Sequence, residues 1–283
     1  MQWLNIGDTK TDTKITTPNF VPQHTLQQAG LTAIDQIVAK YPSPYYLMCS
    51  GGVDSQSLAY LWKLSGHPFQ CISFLYTDNS GLIYNTHDID TFQVFANQQN
   101  ISYKTKFFNY WSFLENDLED IAKKYNCASP QITAYISMSD TIQDGTVIFS
   151  GNFFLPKKPP FDYDILALYR YSLECVTHSV IPFFFSFTKD LAFIGNTVKQ
   201  INSYDDYKSK CNIYKYFDIP IIEQNTKLSG FEFIKDCFDT VPNLISKQDR
   251  LRYSSKPSKR PFDIAYRYKL RDKLGAHPKI TIF

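Results

Sequence analysis

The chain reads as an α/β protein with a doubly wound, mainly parallel sheet and a helical C-terminal extension. Three observations predict this. Stretches with the helical hydrophobic period alternate with short apolar runs between residues 25 and 149. The helical stretches are mostly 10–15 residues long, the length of a crossover between parallel strands. Polar, glycine- or asparagine-bearing turns follow three of the four predicted strands, where ligands bind in open α/β sheets.

Each element has its own signal. Residues 25–40 place Leu26, Ala29, Leu31, Ile34 and Ile37 on one helical face, and Pro42 and Pro44 end the helix. The first strand, 45–49, follows. A helix over 54–64 is closed by Gly66, and 69–76 (FQCISFLY) is the second strand. A helix over 87–100 leads to the third strand, 101–108. Helices over 111–125 and 130–141 precede the fourth strand, 146–149.

Between the first strand and its helix lies Ser50-Gly51-Gly52-Val53-Asp54-Ser55. Two adjacent glycines give up backbone entropy, so the turn is expected to need conformations that side chains forbid. A glycine turn opening a helix exposes backbone N–H groups at the positive end of the helix dipole, a setting for an anion such as phosphate. The second strand ends at Thr77-Asp78-Asn79 and the fourth at Ser150-Gly151-Asn152, so three polar turns share one sheet edge. Neither the GxxxxGK[ST] loop nor the GxGxxG fingerprint is present.

What these residues do match is SGGxDS, complete at Ser50, Gly51, Gly52, Asp54 and Ser55. The string resembles the PP-loop of the ATP pyrophosphatase superfamily, with its adenine nucleotide alpha hydrolase-like fold. That family includes GMP synthetase, NAD synthetase, asparagine synthetase, sulfonucleotide reductases and tRNA-thiolating enzymes. The resemblance covers about residues 25–200 and is strong at the loop itself. It implies a nucleotide-binding domain at 25–200, after an N-terminal extension (1–24) and before a helical and basic C-terminal region (201–283). It also implies attack on ATP at the α-phosphate, which adenylylates an acceptor and releases pyrophosphate.

By that resemblance Ser50, Gly51, Gly52, Val53, Asp54 and Ser55 would cradle the β- and γ-phosphates, with Asp54 and Ser55 as the catalytic pair. Asp54 would ligate Mg²⁺ or orient the loop; on the residues alone it is equally a carboxylate stabilising a helix N-terminus. Tyr76, Thr77 and Asp78 would lie near the base or ribose of ATP. Ser150, Gly151 and Asn152 would lie beside the α-phosphate or adenine, and on the residues alone they read as an ordinary strand-to-loop turn. Valine at Gly51 or Gly52 is expected to abolish ATP binding and leave the fold largely intact. The loop supplies no cation; Lys157, Lys158, Arg170 and Lys189 are the candidates from elsewhere.

Charge is unevenly spread. From residue 243 onward there are 11 Lys or Arg against three Asp, whereas the first 242 residues carry 18 basic and 24 acidic residues. The basic stretch interleaves Tyr253, Phe262, Tyr266 and Tyr268 with its cations. It suits a nucleic-acid backbone or the pyrophosphate of the same site, and equally a tail packed across an acidic body or a contact within a homo-oligomer.

The acceptor is narrowed by absences. Position 2 is Gln2, not the cysteine nucleophile of glutamine-hydrolysing asparagine synthetases, and the paired or four-cysteine patterns of the thiolating and deazaguanine-forming branches are missing. The six cysteines lie at least 22 positions apart and read as structural. No histidine cluster suggests metal hydrolysis. Amination or sulfur transfer therefore stays open, and the alternative is a nucleotide-binding module without catalysis, serving as a sensor or structural subunit. No run reaches the ~20 apolar residues that span a bilayer. The N-terminal stretch lacks the basic start and apolar core of a signal peptide, so a cytoplasmic protein without a membrane partner is expected.

Overall fold

The computed structural model describes residues 5–8, 12–16, 20–127, 129–152, 166–198, 206–224 and 279–282. At the N-terminus β1 (Asn5–Asp8) and β2 (Asp12–Thr16) pair antiparallel, and β2 pairs in parallel with the last strand, β8 (Lys279–Ile282). The N-terminal extension thus carries strands, and the C-terminal region ends in one as well as carrying a helix.

α1 (Leu26–Lys40) starts at Thr25, whose side chain accepts from the Gln28 N–H while Gln28 caps the Thr25 N–H in return. Leu26, Ala29, Ala33, Ile34 and Ile37 form its buried stripe, as the 3.6-residue period requires. β3 (Tyr45–Met48) leads into α2 (Val53–Ser65), which Gly66 ends in the left-handed conformation, φ 73°. β4 (Gln70–Thr77), α3 (Thr86–Gln98) and β5 (Tyr103–Asn109) follow.

The helix expected over 111–125 is broken. α4 (Tyr110–Ser112) widens into a π-turn at Phe113–Asp117 before α5 (Leu118–Tyr125). α6 (Pro130–Asp140) is capped by Ser129 and leads to β6 (Thr146–Ile148). α7 (Leu166–Glu174) and β7 (Ser179–Ile181) add a fifth strand absent from the sequence reading, because three residues are too short to show a period. α8 (Lys189–Phe193) and α9 (Asp206–Tyr216) complete the helices described.

The main sheet has the order β5-β4-β3-β6-β7, with every neighbouring pair parallel. One apolar layer packs α1, α2, α3 and α9 on Leu47, Cys71, Ile148 and Ile181. The other packs α5, α6 and α7 on Ile72, Phe74 and Val147. Helices thus cover both faces, as the doubly wound class requires. The chain leaves β3 toward β4 on one side and reaches β6 on the other, so the order reverses between β3 and β6. In such sheets a crevice opens at that point, beyond the carboxyl ends of the strands. Among the described residues no helix is long and apolar enough to cross a membrane.

Candidate functional site

A cleft of about 1170 Å³, its solvent-filled mouth included, opens at this reversal. Ser50, Gly52, Asp54 and Ser55 line it from the β3–α2 turn, and Ser150, Gly151 and Asn152 from the turn after β6. Its inner wall is apolar and aromatic, with Phe74 and Tyr76 of β4, Tyr135 and Met138 of α6, Phe149 and Phe183.

The two glycines of the loop do different work. Gly51 has φ +76°, and a Cβ built there would lie 2.1 Å from the Asp88 carbonyl oxygen at the start of α3. Only glycine allows both the left-handed backbone and that approach. Gly52 has φ −69° and ψ 156°, open to any residue, so the expected need for forbidden dihedrals holds for Gly51 alone. Gly52 is the N-cap of α2, and no side chain caps that helix end. The N–H groups of its first turn therefore have no side-chain cap, and that of Ser55 donates to the Gly52 carbonyl at 3.0 Å. Ser55 is buried and its hydroxyl donates to the Gly52 carbonyl at 2.8 Å, bracing the turn from within.

The opposite rim is built similarly. Gly151 has φ +61°, and a Cβ there would approach the Phe183 Cα to 2.8 Å. The N–H groups of Phe184 and Phe185 donate to the Phe149 and Ser150 carbonyls, and Ser186 Oγ donates to the Asn152 carbonyl. The segment after β7 thus fixes this turn.

Of the residues expected at the end of β4, only Tyr76 reaches the cleft. Burial, with Tyr135 and Asp88 nearby, holds its phenol well above the usual tyrosine value, so it acts as a neutral hydrogen-bonding group. Thr77 is buried and donates to the Phe108 carbonyl at 3.3 Å. The Asp78 carboxylate accepts from the Ser80 and Leu82 N–H groups, from Ser80 Oγ and from Tyr84 Oη at 2.7 Å, organising the turn after β4. Against a desolvation push upwards, these bonds lower its carboxyl to about 2. Thr77 and Asp78 therefore lie outside the cleft lining, and so does Val53, which packs in the core beneath the loop.

The main addition comes from α9. Lys210 is buried, and its Nζ lies 2.7 Å from Asp54 Oδ2 and 2.5 Å from Asn152 Oδ1, bridging the two rims. Tyr214 Oη donates to Asp54 Oδ1 at 2.6 Å. Both Asp54 oxygens thus accept from α9. Burial, with Asp54 beside it, raises the Tyr214 phenol far above its usual value, which keeps it a donor. Gln56, fully buried on α2, ties the next segment: its Oε1 accepts from the Ile222 N–H at 2.6 Å, and its Nε2 donates to the Gly51 and Ile222 carbonyls. Gln224 Nε2 donates to Asp88 Oδ1 and Thr91 Oγ1. No local signal marks Lys210, Tyr214 or Gln56, since their partners lie up to 166 residues away.

Two of the cations singled out from sequence lie away from the cleft lining. Arg170 Nη1 donates to the Tyr125 and Asn126 carbonyls at the end of α5, and Lys189 is exposed on α8. Lys157, Lys158 and the basic stretch with Lys256, Lys259, Arg260, Arg267 and Arg271 lie outside the described residues. Cys49, Cys71, Cys127, Cys175 and Cys211 are free thiols; burial, with Cys71 alongside, pushes Cys49 well above the usual thiol range, which argues against a nucleophilic role.

A metal of the Mg²⁺ kind needs one or two carboxylates and takes its remaining ligands from phosphates and water. Asp54 and Asp88 both line the cleft, so the donor set fits such an ion when phosphate accompanies it. Among the described residues no group of three or more His, Cys, Asp or Glu forms a metal site by itself.

Fold and cleft together define an α/β protein with a ligand crevice at the switch point of its parallel sheet. In loop sequence, and in the strand–turn–helix that carries it, the chain resembles the PP-loop ATP pyrophosphatase superfamily. No family model and no curated protein matches the sequence. Among solved structures the chain is similar to an NMN synthetase from Francisella tularensis, at 14% identity and TM-score 0.41 over 92% of this chain and 99% of that one. It is similar to a U34-tRNA thiolase from Methanococcus maripaludis, with its [4Fe-4S] cluster, at 16% identity and TM-score 0.35 over 87% and 78%. An NH3-dependent NAD synthetase from Campylobacter jejuni, in complex with nitrate, is similar at 13% identity and TM-score 0.38 over 90% and 97%.

Proposed function

We propose that this protein is an ATP pyrophosphatase-type enzyme: it binds ATP at the SGGVDS loop, adenylylates an acceptor and releases pyrophosphate, for amination or sulfur transfer. One observation carries the reading. The uncapped α2 N-terminus, with Ser50 and Ser55, faces Ser150-Gly151-Asn152 across a single cleft at the switch point of the sheet. The β- and γ-phosphates would take the N–H groups of the loop, and the base would take the aromatic inner wall beside Tyr76. An acceptor oxygen then attacks the α-phosphorus in line with the bond to the β-phosphate bridge, and that bond breaks to release pyrophosphate. The charge that develops on the leaving group falls where fixed N–H dipoles point, which is the main contribution such a site makes. Asp54, with Asp88, would hold Mg²⁺, whose chemistry is to neutralise the leaving phosphates.

Residues 25–200 form the nucleotide-binding unit in this reading, and α9 of the C-terminal region reaches back to it. The basic stretch beyond residue 243 is assigned to a fold-back over the cleft or to a subunit contact in preference to nucleic acid, because its interleaved tyrosines and phenylalanines suit a packed interface. The test is incubation with α-labelled ATP and candidate acceptors. AMP and pyrophosphate support the proposal, ADP refutes it, and ATP binding without turnover supports the catalytically inactive sensor instead.

A further inference from the structure

The cleft has a charge problem that α9 resolves. Its lining carries two carboxylates, Asp54 and Asp88, and no Lys, Arg or His among the described residues. A polyphosphate entering between the loops meets favourable N–H dipoles but also two like charges, and dipoles at one helix end offset only part of that. Lys210 stands immediately behind. Its ammonium is bonded to Asp54 of one rim and Asn152 of the other, at the two turns that would embrace the ligand. An ammonium is a compact donor on a flexible stem, so a small rotation moves it from one acceptor to another.

We infer that Lys210 is the cation of the polyphosphate subsite, handed from Asp54 to a phosphate oxygen when the ligand enters. This rests on the ATP reading and deepens it. Before a ligand enters, Lys210 neutralises Asp54 and keeps the two rims in register through Asn152. An entering phosphate competes with Asp54 for the same ammonium. Asp54, released from Lys210, keeps its bond from Tyr214 and gains an oxygen for a metal. Lys210 and Asp54 therefore have opposite effects on a metal-free anion, which a merely structural ion pair would not produce.

Titration calorimetry of the full chain with sodium pyrophosphate in EDTA tests this. Lys210→Met should weaken binding about ten- to hundredfold, the range of one charge-assisted hydrogen bond. Asp54→Asn should strengthen it about three- to tenfold, because it removes a like charge and frees the ammonium. Lys210→Met leaves Asp54 without its cation and puts folding at risk, so the double variant Lys210→Met/Asp54→Asn, with both charges gone, is measured as well. It should bind about ten- to hundredfold more weakly than Asp54→Asn alone, because the ammonium is gone from the same charge background. Lys189→Met, an exposed lysine of α8, should bind like wild type. A double variant as tight as Asp54→Asn alone, or an Asp54→Asn protein that binds pyrophosphate more weakly than wild type without metal, overturns the handover while leaving ATP binding standing. Wild-type protein that binds neither pyrophosphate nor ATP overturns the nucleotide reading itself.

Discussion

Alanine at Gly51 and at Gly52 separates the structural glycine from the functional one. At Gly51 the backbone sits at φ +76°, which costs an L-residue about 1–2 kcal/mol. The new Cβ would also stand 2.1 Å from the Asp88 carbonyl oxygen, where ordinary contact begins near 3.4 Å. The neighbour is backbone, so α3 must move by more than an ångström, and strain of this kind costs about 1–3 kcal/mol. The sum is about 2–5 kcal/mol, a large share of the ~5–15 kcal/mol that holds a typical domain together. At Gly52 the dihedrals suit alanine, and the expected loss is under about 1 kcal/mol, from a poorer N-cap. Urea unfolding followed by far-ultraviolet circular dichroism reads the difference. With a slope of about 1–3 kcal/mol per molar, the Gly51→Ala midpoint should fall by roughly 1–2 M and that of Gly52→Ala by much less. Equal midpoints would refute the assignment of the close approach to Gly51. The expectation that either glycine can be replaced without loss of fold is thus corrected for Gly51. It is kept for Gly52→Val, which should fold and lose ATP.

Four further outcomes are expected. His178 is buried between Ser139, Tyr171 and Thr177, and burial, only partly offset by Asp140 and Asp144, lowers it from 6.5. It folds neutral, so its contribution is intact above pH 6.5 and lost as pH falls below it; His178→Gln should flatten that part of the urea midpoint between pH 7.5 and 5.5, and parallel profiles would exclude it. Gln56→Leu strands the Ile222 N–H and the Gly51 carbonyl and should cost about 2–4 kcal/mol in the same unfolding assay, a neutral result showing that water replaces the amide. Asp54→Asn should raise the magnesium concentration needed for adenylation more than it weakens ATP binding; unaltered magnesium dependence would leave Asp54 as an anchor for α9. Lys259→Ala with Arg260→Ala should weaken ATP or change the oligomeric mass, whereas loss of tRNA binding with a flattened salt slope would make the basic stretch a nucleic-acid site.

Much of the architecture was legible locally. The alternation of periods predicted the first four parallel strands and their helices to within two residues at most ends, because burying one face of a helix or both faces of a strand imposes that pattern on adjacent residues. The SGGVDS turn stood out because glycines and hydroxyls have no use in a core. The break at Phe113–Asp117 and the three-residue β7 were not legible, since a π-turn keeps a nearly helical pattern and a short buried strand shows none.

The candidate site divides in the same way. Sequence alone determined that a glycine-rich turn joins the first main-sheet strand to α2, and that another polar turn follows β6. Only the tertiary structure decided that β6 lies next to β3, which sets the two turns across one cleft. It also turned Asp78 into its own loop, and it brought Lys210 and Tyr214 onto Asp54 from 156 and 160 positions away. The physical reason is range. Periodicity and turn chemistry are imposed by neighbours in the chain, whereas a buried charge takes its partner from whatever the packing of distant helices places within 3 Å.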